Sequence, residues 1–90
     1  MRSNKATPEA VAKIMAEAAH EKRVVGPDEE LFRELGMDSV DLIFGISMIE
    51  EEFGLTMGET QWERFFFERQ FTGRGISSRD LAEFVCQQQK

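Results

Sequence analysis

The feature that most restricts the fold is a segment in which apolar residues recur every three or four positions between two helix-boundary signals. The apolar residues that fall on one side of such a helix are Leu42, Ile46, Ile49 and Phe53. Asp38 and Asp41 form the acidic variant of a capping box at its start. Gly54 is the residue type that closes helices. The sequence therefore predicts an amphipathic helix over residues 38–53.

A second helical pattern begins at Thr7 and Pro8, an N-cap followed by proline at the first helical position. Its apolar stripe consists of Val11, Ile14, Met15 and Ala18. We expect this helix to end near Lys22. Residues 24–37 contain a Gly-Pro breaker pair and predict a long loop between the two helices. The apolar residues expected to hold this loop to the core are Leu31, Phe32 and Leu35.

Two more helices are predicted after Gly58. The third has Trp62, Phe65 and Phe66 at helical spacing, with Phe67 and Phe71 on an adjacent strip, and is expected to run to about Gln70. Residues 72–75, Thr-Gly-Arg-Gly, predict a turn. Ser77 or Ser78 then caps a last helix. Its inward residues are predicted to be Leu81, Phe84 and Val85.

These patterns together predict an all-α, four-helix bundle. No stretch alternates with period two, so we expect no strands. Apolar residues make up 41% and charged residues 31% of the chain, which is ordinary for a folded protein. Ninety residues fit one domain, so we assign residues 1–90 to a single domain and expect residues 1–6 to form a disordered tail.

The charge of the chain is concentrated in its middle. Residues 28–59 hold ten acids and one base, a net charge of −9 within a total of −6. An acidic field of this kind repels nucleic acid and anionic membranes and attracts basic protein surfaces. Cys86 is the only cysteine, and the sequence has no apolar run of membrane-spanning length and no signal-peptide pattern at its start. We therefore expect a cytoplasmic protein. We also expect it to be a monomer.

The usual catalytic patterns do not occur in the sequence. It has one histidine, His20, which we expect to be a solvated residue near the end of the first helix. Cys86 is expected to be a half-buried core filler. The acid runs lack the ligand spacing of a calcium loop, so no metal site is expected. Ser39 differs, because a phosphate on it would lie at the positive end of a helix dipole, although simple capping explains the residue as well.

The surroundings of Ser39 supply a family resemblance. The run from Leu31 to Asp41, Leu-Phe-Arg-Glu-Leu-Gly-Met-Asp-Ser-Val-Asp, precedes an apolar helix that ends in Ile-Glu-Glu-Glu-Phe-Gly. This arrangement resembles the signature of acyl carrier proteins, which also share the four-helix order and the long first loop. The resemblance implies that Ser39, preceded by Asp38, carries 4′-phosphopantetheine attached by a phosphopantetheinyl transferase. The arm would hold acyl groups as thioesters, and the protein would not be an enzyme.

The resemblance also implies a surface for partner enzymes on the helix that bears Ser39. Helical geometry places Val40, Phe44, Ser47 and Glu51 on a strip apart from the buried one. Asp41, Glu50 and Glu51 would meet basic docking patches of acyl-loading and acyl-processing enzymes of fatty acid, other lipid or polyketide biosynthesis. Ile46, Ile49 and Phe53 match core positions of the family.

Two departures from the family pattern point to a specialised member. Phe44 stands where the fatty-acid carriers usually have Glu, and the stretch before the last helix is about ten residues longer than usual. That stretch carries Trp62, the triplet Phe65–Phe67, Arg64, Arg69 and Arg74. We expect most of its aromatic residues to fill extra core. Three other functions stay open: an aminoacyl or peptidyl carrier, an unmodified helical protein-binding module and a small helical enzyme.

Overall fold

A computed structural model describes residues 5–56, 58–72 and 75–89; for Ser39, Glu59, Thr60 and residues 70–72 it describes the backbone. The helices are α1 (Pro8–Ala18), α2 (Ser39–Phe53), α3 (Glu59–Thr72) and α4 (Ser78–Gln88). Within the described ranges the only β-type pairing is an isolated bridge between Glu30 and Ser77. The predicted all-α, four-helix bundle with a long loop between the first two helices is confirmed.

Helix α1 begins as the sequence predicts but ends four residues earlier than expected. The Thr7 hydroxyl accepts a hydrogen bond from the Ala10 N–H at 3.1 Å, and Pro8 follows it. At the other end His20 adopts a left-handed conformation, φ 58°. Its N–H donates to the Glu17 carbonyl, and the Glu21 N–H donates to the Ala16 carbonyl at 2.8 Å. This pairing is the Schellman motif that terminates helices.

His20 thus ends the helix, whereas the prediction placed it inside the last turn. A left-handed conformation costs an L-residue about 1–2 kcal/mol relative to glycine. Glycine offsets part of this advantage, because it loses more conformational entropy than other residues on folding. We expect His20→Gly to raise the free energy of unfolding by about 0.5–1 kcal/mol. Urea denaturation followed by circular dichroism measures this change. His20→Ala is the matched control: it removes the imidazole, keeps the unfavourable φ and should bring no gain. A gain in both variants would contradict the backbone explanation.

Helix α1 lies at the centre of the packing, between α2 and α4. The fully buried core residues come from α1, α2, α4, the α1–α2 loop and the α3–α4 connection. The largest are Met15, Leu31, Ile49, Ile76, Leu81, Val11 and Val85. On α2, Ile49 and Phe53 are buried and Ile46 is partly buried, as the resemblance implied. Burial of these side chains provides most of the driving force for folding.

Aromatic side chains pack helix α3 against α4. The Trp62 ring lies 5.4 Å from the Phe84 ring of α4, and the Phe65 ring stacks on Phe84 at 4.5 Å. Trp62 is 6% exposed, and Phe65 and Phe66 are half-buried, so the prediction that most of these aromatics fill extra core is confirmed for them. Phe67 differs, because it is 66% exposed. The side chain of Phe71 lies outside the described part.

The start of α4 shows which serine caps the helix. Ser77 is the N-cap and forms a reciprocal capping box with Asp80, while Ser78 is the first helical residue and is fully buried. The predicted turn at residues 72–75 includes Gly73 and Arg74, which lie outside the described residues. Leu81 and Val85 are buried as predicted, and Phe84 is half-buried.

The beginning of the described chain packs against α4. Ala6 is 5% exposed, its N–H donates to the Gln89 side chain at 3.2 Å, and its carbonyl accepts a hydrogen bond from the Cys86 thiol at 3.0 Å. Residues 1–4 of the expected disordered tail lie outside the described part. Ala6, which that expectation included, is a packed residue with two hydrogen bonds.

Candidate functional site at the start of helix α2

The position of Ser39 is set by the loop that precedes it. Leu31, Leu35 and Met37 are 0%, 9% and 4% exposed, so the loop is anchored in the core three times within seven residues. The Met37 N–H donates to the Leu31 carbonyl at 2.9 Å, which closes the last turn of the loop. These contacts fix where Asp38 begins the helix.

The Glu30 carboxylate and the Leu31 backbone link this loop to the connection between α3 and α4. Glu30 accepts hydrogen bonds from the N–H groups of Arg33 at 2.8 Å and Ile76 at 3.0 Å. The Leu31 N–H returns a bond to the Ile76 carbonyl at 2.8 Å. Partial burial disfavours the charged form, but these N–H donors outweigh it and hold the pKa of Glu30 below its ordinary value. Sequence patterns missed this role, because the partner lies 46 residues away.

Two ion pairs reinforce the outer side of the loop. Arg79 of α4 contacts Asp28 at 2.7 Å, and Arg23 contacts Glu29 at 2.6 Å. Hydrogen bonds from the Arg23 guanidinium and from the Gly26 N–H lower the pKa of Glu29 to about 2. Because that pKa lies below its ordinary value, the contribution of Glu29 is present at neutral pH and is lost only as the pH falls towards 2. Three acids of the predicted acidic patch, residues 28–30, therefore have internal structural roles.

The capping box predicted for α2 is confirmed. The Asp41 N–H donates to the Asp38 carboxylate at 2.9 Å, and the Asp38 N–H donates to the Asp41 carboxylate at 3.3 Å. Ser39 is the first helical residue, at the end where the first backbone N–H groups lack intrahelical acceptors and the helix dipole is positive. Since Asp38 already caps the helix, Ser39 is not needed for that purpose.

The exposed side of α2 contains the strip that the sequence predicted, together with one residue that it did not. Val40, Phe44, Ser47 and Glu51 are all exposed. Ile43 is 64% exposed as well, which makes it one of the most exposed large apolar side chains in the described chain. The sequence could have indicated this position of Ile43, because it lies four residues after Ser39 and helical residues four apart lie on the same side of the helix.

Two acids assigned to the partner surface have other contacts. Glu50 is half-buried, and one of its carboxylate oxygens accepts a hydrogen bond from the Trp62 indole at 3.4 Å. Asp41 is half-buried, and its carboxylate belongs to the capping box. Of the three acids predicted for this surface, Asp41, Glu50 and Glu51, only Glu51 is exposed.

The opposite side of α2 lies very close to α1. Gly45 is buried, and a Cβ built on it would meet the Met15 Sδ at 2.7 Å and the Ala18 Cβ at 3.5 Å. Glycine thus permits a close approach of the two helices one turn and a half after Ser39. The side that bears Val40 and Phe44 is left free by this packing.

Other chemistry-bearing residues are dispersed. Cys86 is half-buried with its thiol hydrogen-bonded to the Ala6 carbonyl, and His20 is exposed at the end of α1. Across residues 5–56, 58–72 and 75–89, no three His, Cys, Asp or Glu side chains are grouped so as to hold a metal ion. In the same ranges no helix combines the length and apolarity that crossing a bilayer requires.

A four-helix bundle with a long first loop and a serine at the head of a capped second helix has the architecture of a carrier domain. Residues 9–62 match the family model described as phosphopantetheine attachment site. The match covers more than half of the chain, so this protein belongs to the phosphopantetheine attachment site family. Members carry 4′-phosphopantetheine covalently and act as carriers that do no catalysis. Searches of curated proteins and of solved structures returned no significant match.

Proposed function

We propose that Ser39 is the attachment residue and that the protein carries acyl intermediates as thioesters on a 4′-phosphopantetheine arm. The observation that carries the proposal is the place of Ser39, the first residue of α2, in a helix that Asp38 and Asp41 already cap. Helix capping therefore does not account for this serine, which supports a different role for it. The α2 N-terminus also suits a phosphodiester, whose negative charge is favoured by the helix dipole.

The attachment step is a phosphoryl transfer. The Ser39 hydroxyl oxygen forms a bond to the phosphorus on the pantetheine side of the coenzyme A diphosphate. The bond from that phosphorus to the bridging oxygen breaks, and adenosine 3′,5′-bisphosphate leaves with the electron pair. The serine proton passes to a base of the transferase. The chain itself supplies the nucleophile and its position, while the arm brings the thiol that binds cargo.

The acidic character of α2 supports acyl cargo and basic partners. Val40, Phe44, Ser47 and Glu51 form the exposed strip that we assign to docking, with Asp38 exposed at its upper end. Transferase and acyl-processing enzymes of lipid or polyketide biosynthesis would meet this strip with basic residues. We place the protein in the cytoplasm as a monomer without catalytic activity, where coenzyme A is available.

An aminoacyl or peptidyl carrier is the nearest alternative, since it uses the same serine and arm. Mass analysis of the thioester cargo on protein isolated from its native cells separates the two, because acyl and aminoacyl groups differ in nitrogen content. An unmodified helical module that only holds a basic partner would show neither arm nor cargo.

Incubation with coenzyme A and a broad-specificity phosphopantetheinyl transferase tests the attachment. Intact mass spectrometry should show a gain of one phosphopantetheine per chain, and fragmentation should locate it on Ser39. Protein incubated with the transferase but without coenzyme A is the control, and it should show no gain in mass. Absence of any gain, or a gain on another residue, would overturn the proposal.

A further inference from the structure

A groove of about 450 Å³ lies along the junction of α3 and α4, and we call it the α3–α4 groove. Its volume falls in the range of about 300–1,000 Å³ that is typical of ligand sites. Phe65 and Phe84 form its floor, and these half-buried rings stack on each other at 4.5 Å. The residues that line it come from α3 and α4, so the groove is separate from the docking strip of α2.

Polar contacts bridge the α3–α4 groove at both of its ends. The Gln61 side chain donates a hydrogen bond to the Gln88 side chain at 2.9 Å. At the other end Arg69 contacts Asp80 at 3.0 Å, and its guanidinium lies 5.8 Å from the centre of the Phe65 ring. The two bridges hold the helices antiparallel and keep the groove formed. A site that is already formed loses less free energy on binding than one that must first be ordered.

The ion-paired end of the groove is suited to a cation. In the register that the two bridges set, Glu68 of α3 and Glu83 of α4 lie on opposite sides of the groove, nearer to this end. Both side chains are exposed. A positive charge between them would meet two carboxylates above an aromatic floor, and both kinds of group attract cations. This end therefore fits the side chain of arginine or lysine.

The other end of the groove is suited to a polypeptide backbone. Gln61, Gln87 and Gln88 line it, together with the guanidinium of Arg64. Each glutamine amide has donors and an acceptor, so these side chains can pair with the N–H and C=O groups of a peptide. From Gln61 to Arg69 the helix rises about 12 Å, which is the length of three or four residues of extended chain.

We propose that the α3–α4 groove binds an extended peptide segment of a partner protein. An arginine or lysine side chain of the segment lies between Glu68 and Glu83, and its backbone pairs with the glutamine amides. The inference is independent of the proposed function, because the groove is the same whether or not Ser39 is modified. A partner held here leaves α2 accessible. If the segment is joined to an enzyme, it raises the effective concentration of that enzyme at α2.

Titration of ¹⁵N-labelled protein with the pentapeptide acetyl-Gly-Leu-Arg-Leu-Gly-amide tests the inference by NMR. We expect saturable shifts of amides along α3 and α4. Glu68→Gln combined with Glu83→Gln should weaken binding about fivefold, as for the loss of two partly exposed ion pairs. Glu17→Gln combined with Glu63→Gln is the matched control, because it removes the same charge from exposed positions outside the groove. It should leave the affinity unchanged.

Four results would overturn the inference. The first is the absence of saturable binding, and the second is equal weakening in the control, which would indicate a general attraction to an acidic chain. The third is acetyl-arginine amide that binds as tightly as the pentapeptide, which would assign the groove to a small cation. The fourth is amide shifts along the groove that depend on protein concentration alone, which would assign it to a second copy of this chain.

The test also separates this inference from the attachment at Ser39. Ser39→Ala should bind the pentapeptide like the wild type, because the groove contains no residue of α2. Peptide shifts confined to α2 would overturn the groove and leave the attachment intact. A wild-type chain that gains no arm would overturn the attachment and leave the groove intact.

Discussion

Ser39→Ala should abolish loading of phosphopantetheine completely while leaving the fold nearly intact. The variant lacks the oxygen that forms the phosphodiester in the proposed function, so no slower route to the same product exists. The N-cap bond from the Asp41 N–H to the Asp38 carboxylate does not involve Ser39. We therefore expect the free energy of unfolding to change by less than about 1 kcal/mol.

Intact mass after incubation with coenzyme A and transferase measures the loss, and chemical denaturation measures the stability. Thr56→Ala is the matched control, since Thr56 is an exposed hydroxyl-bearing residue just after the same helix and outside the docking strip, and it should load like the wild type. Loading that survives Ser39→Ala would show that another residue accepts the arm. Severe unfolding of Ser39→Ala would instead assign the serine to the structure of α2.

Leu31→Ala should produce the largest loss of stability that one residue of the first loop can cause. Leu31 is 0% exposed, and its backbone also joins the loop to Ile76 and Met37. Truncation of a fully buried leucine leaves a cavity and typically costs about 2–5 kcal/mol. In a chain of this size that is a large part of the total stability, about 5–15 kcal/mol for natural domains.

Urea denaturation gives the change in the free energy of unfolding for Leu31→Ala. Val24→Ala serves as its control, because Val24 belongs to the same loop and is 93% exposed. The control should change stability by less than about 0.5 kcal/mol. Equal effects of the two substitutions would mean that Leu31 is not an anchor of the core.

The parts of the fold set by local chemistry were predictable from the sequence. The caps at Thr7 and Asp38, the apolar face of α2 and the end at Gly54 each depend on residues within a few positions of one another. The candidate attachment residue depended in addition on the family resemblance of the run from Leu31 to Asp41, because helix capping alone also explains a serine at that place.

The parts that depend on less common or distant contacts were not predictable. The end of α1 was missed because a histidine, not a glycine, adopts the left-handed conformation. The hydrogen bond from the Trp62 indole to Glu50 joins residues 12 positions apart. The bond from the Ile76 N–H to Glu30 spans a still longer separation. Periodicity of the sequence gives no signal for such pairs.

The junction of Trp62 with Glu50 and Phe84 also gives the protein a built-in optical probe. Trp62 is the only tryptophan and the chain has no tyrosine, so almost all near-ultraviolet emission arises from this one indole. The indole lies where α3 meets both α2 and α4. Its emission wavelength therefore reports the hydration of that junction alone, and a label is not required to follow α3 while the arm is empty or loaded.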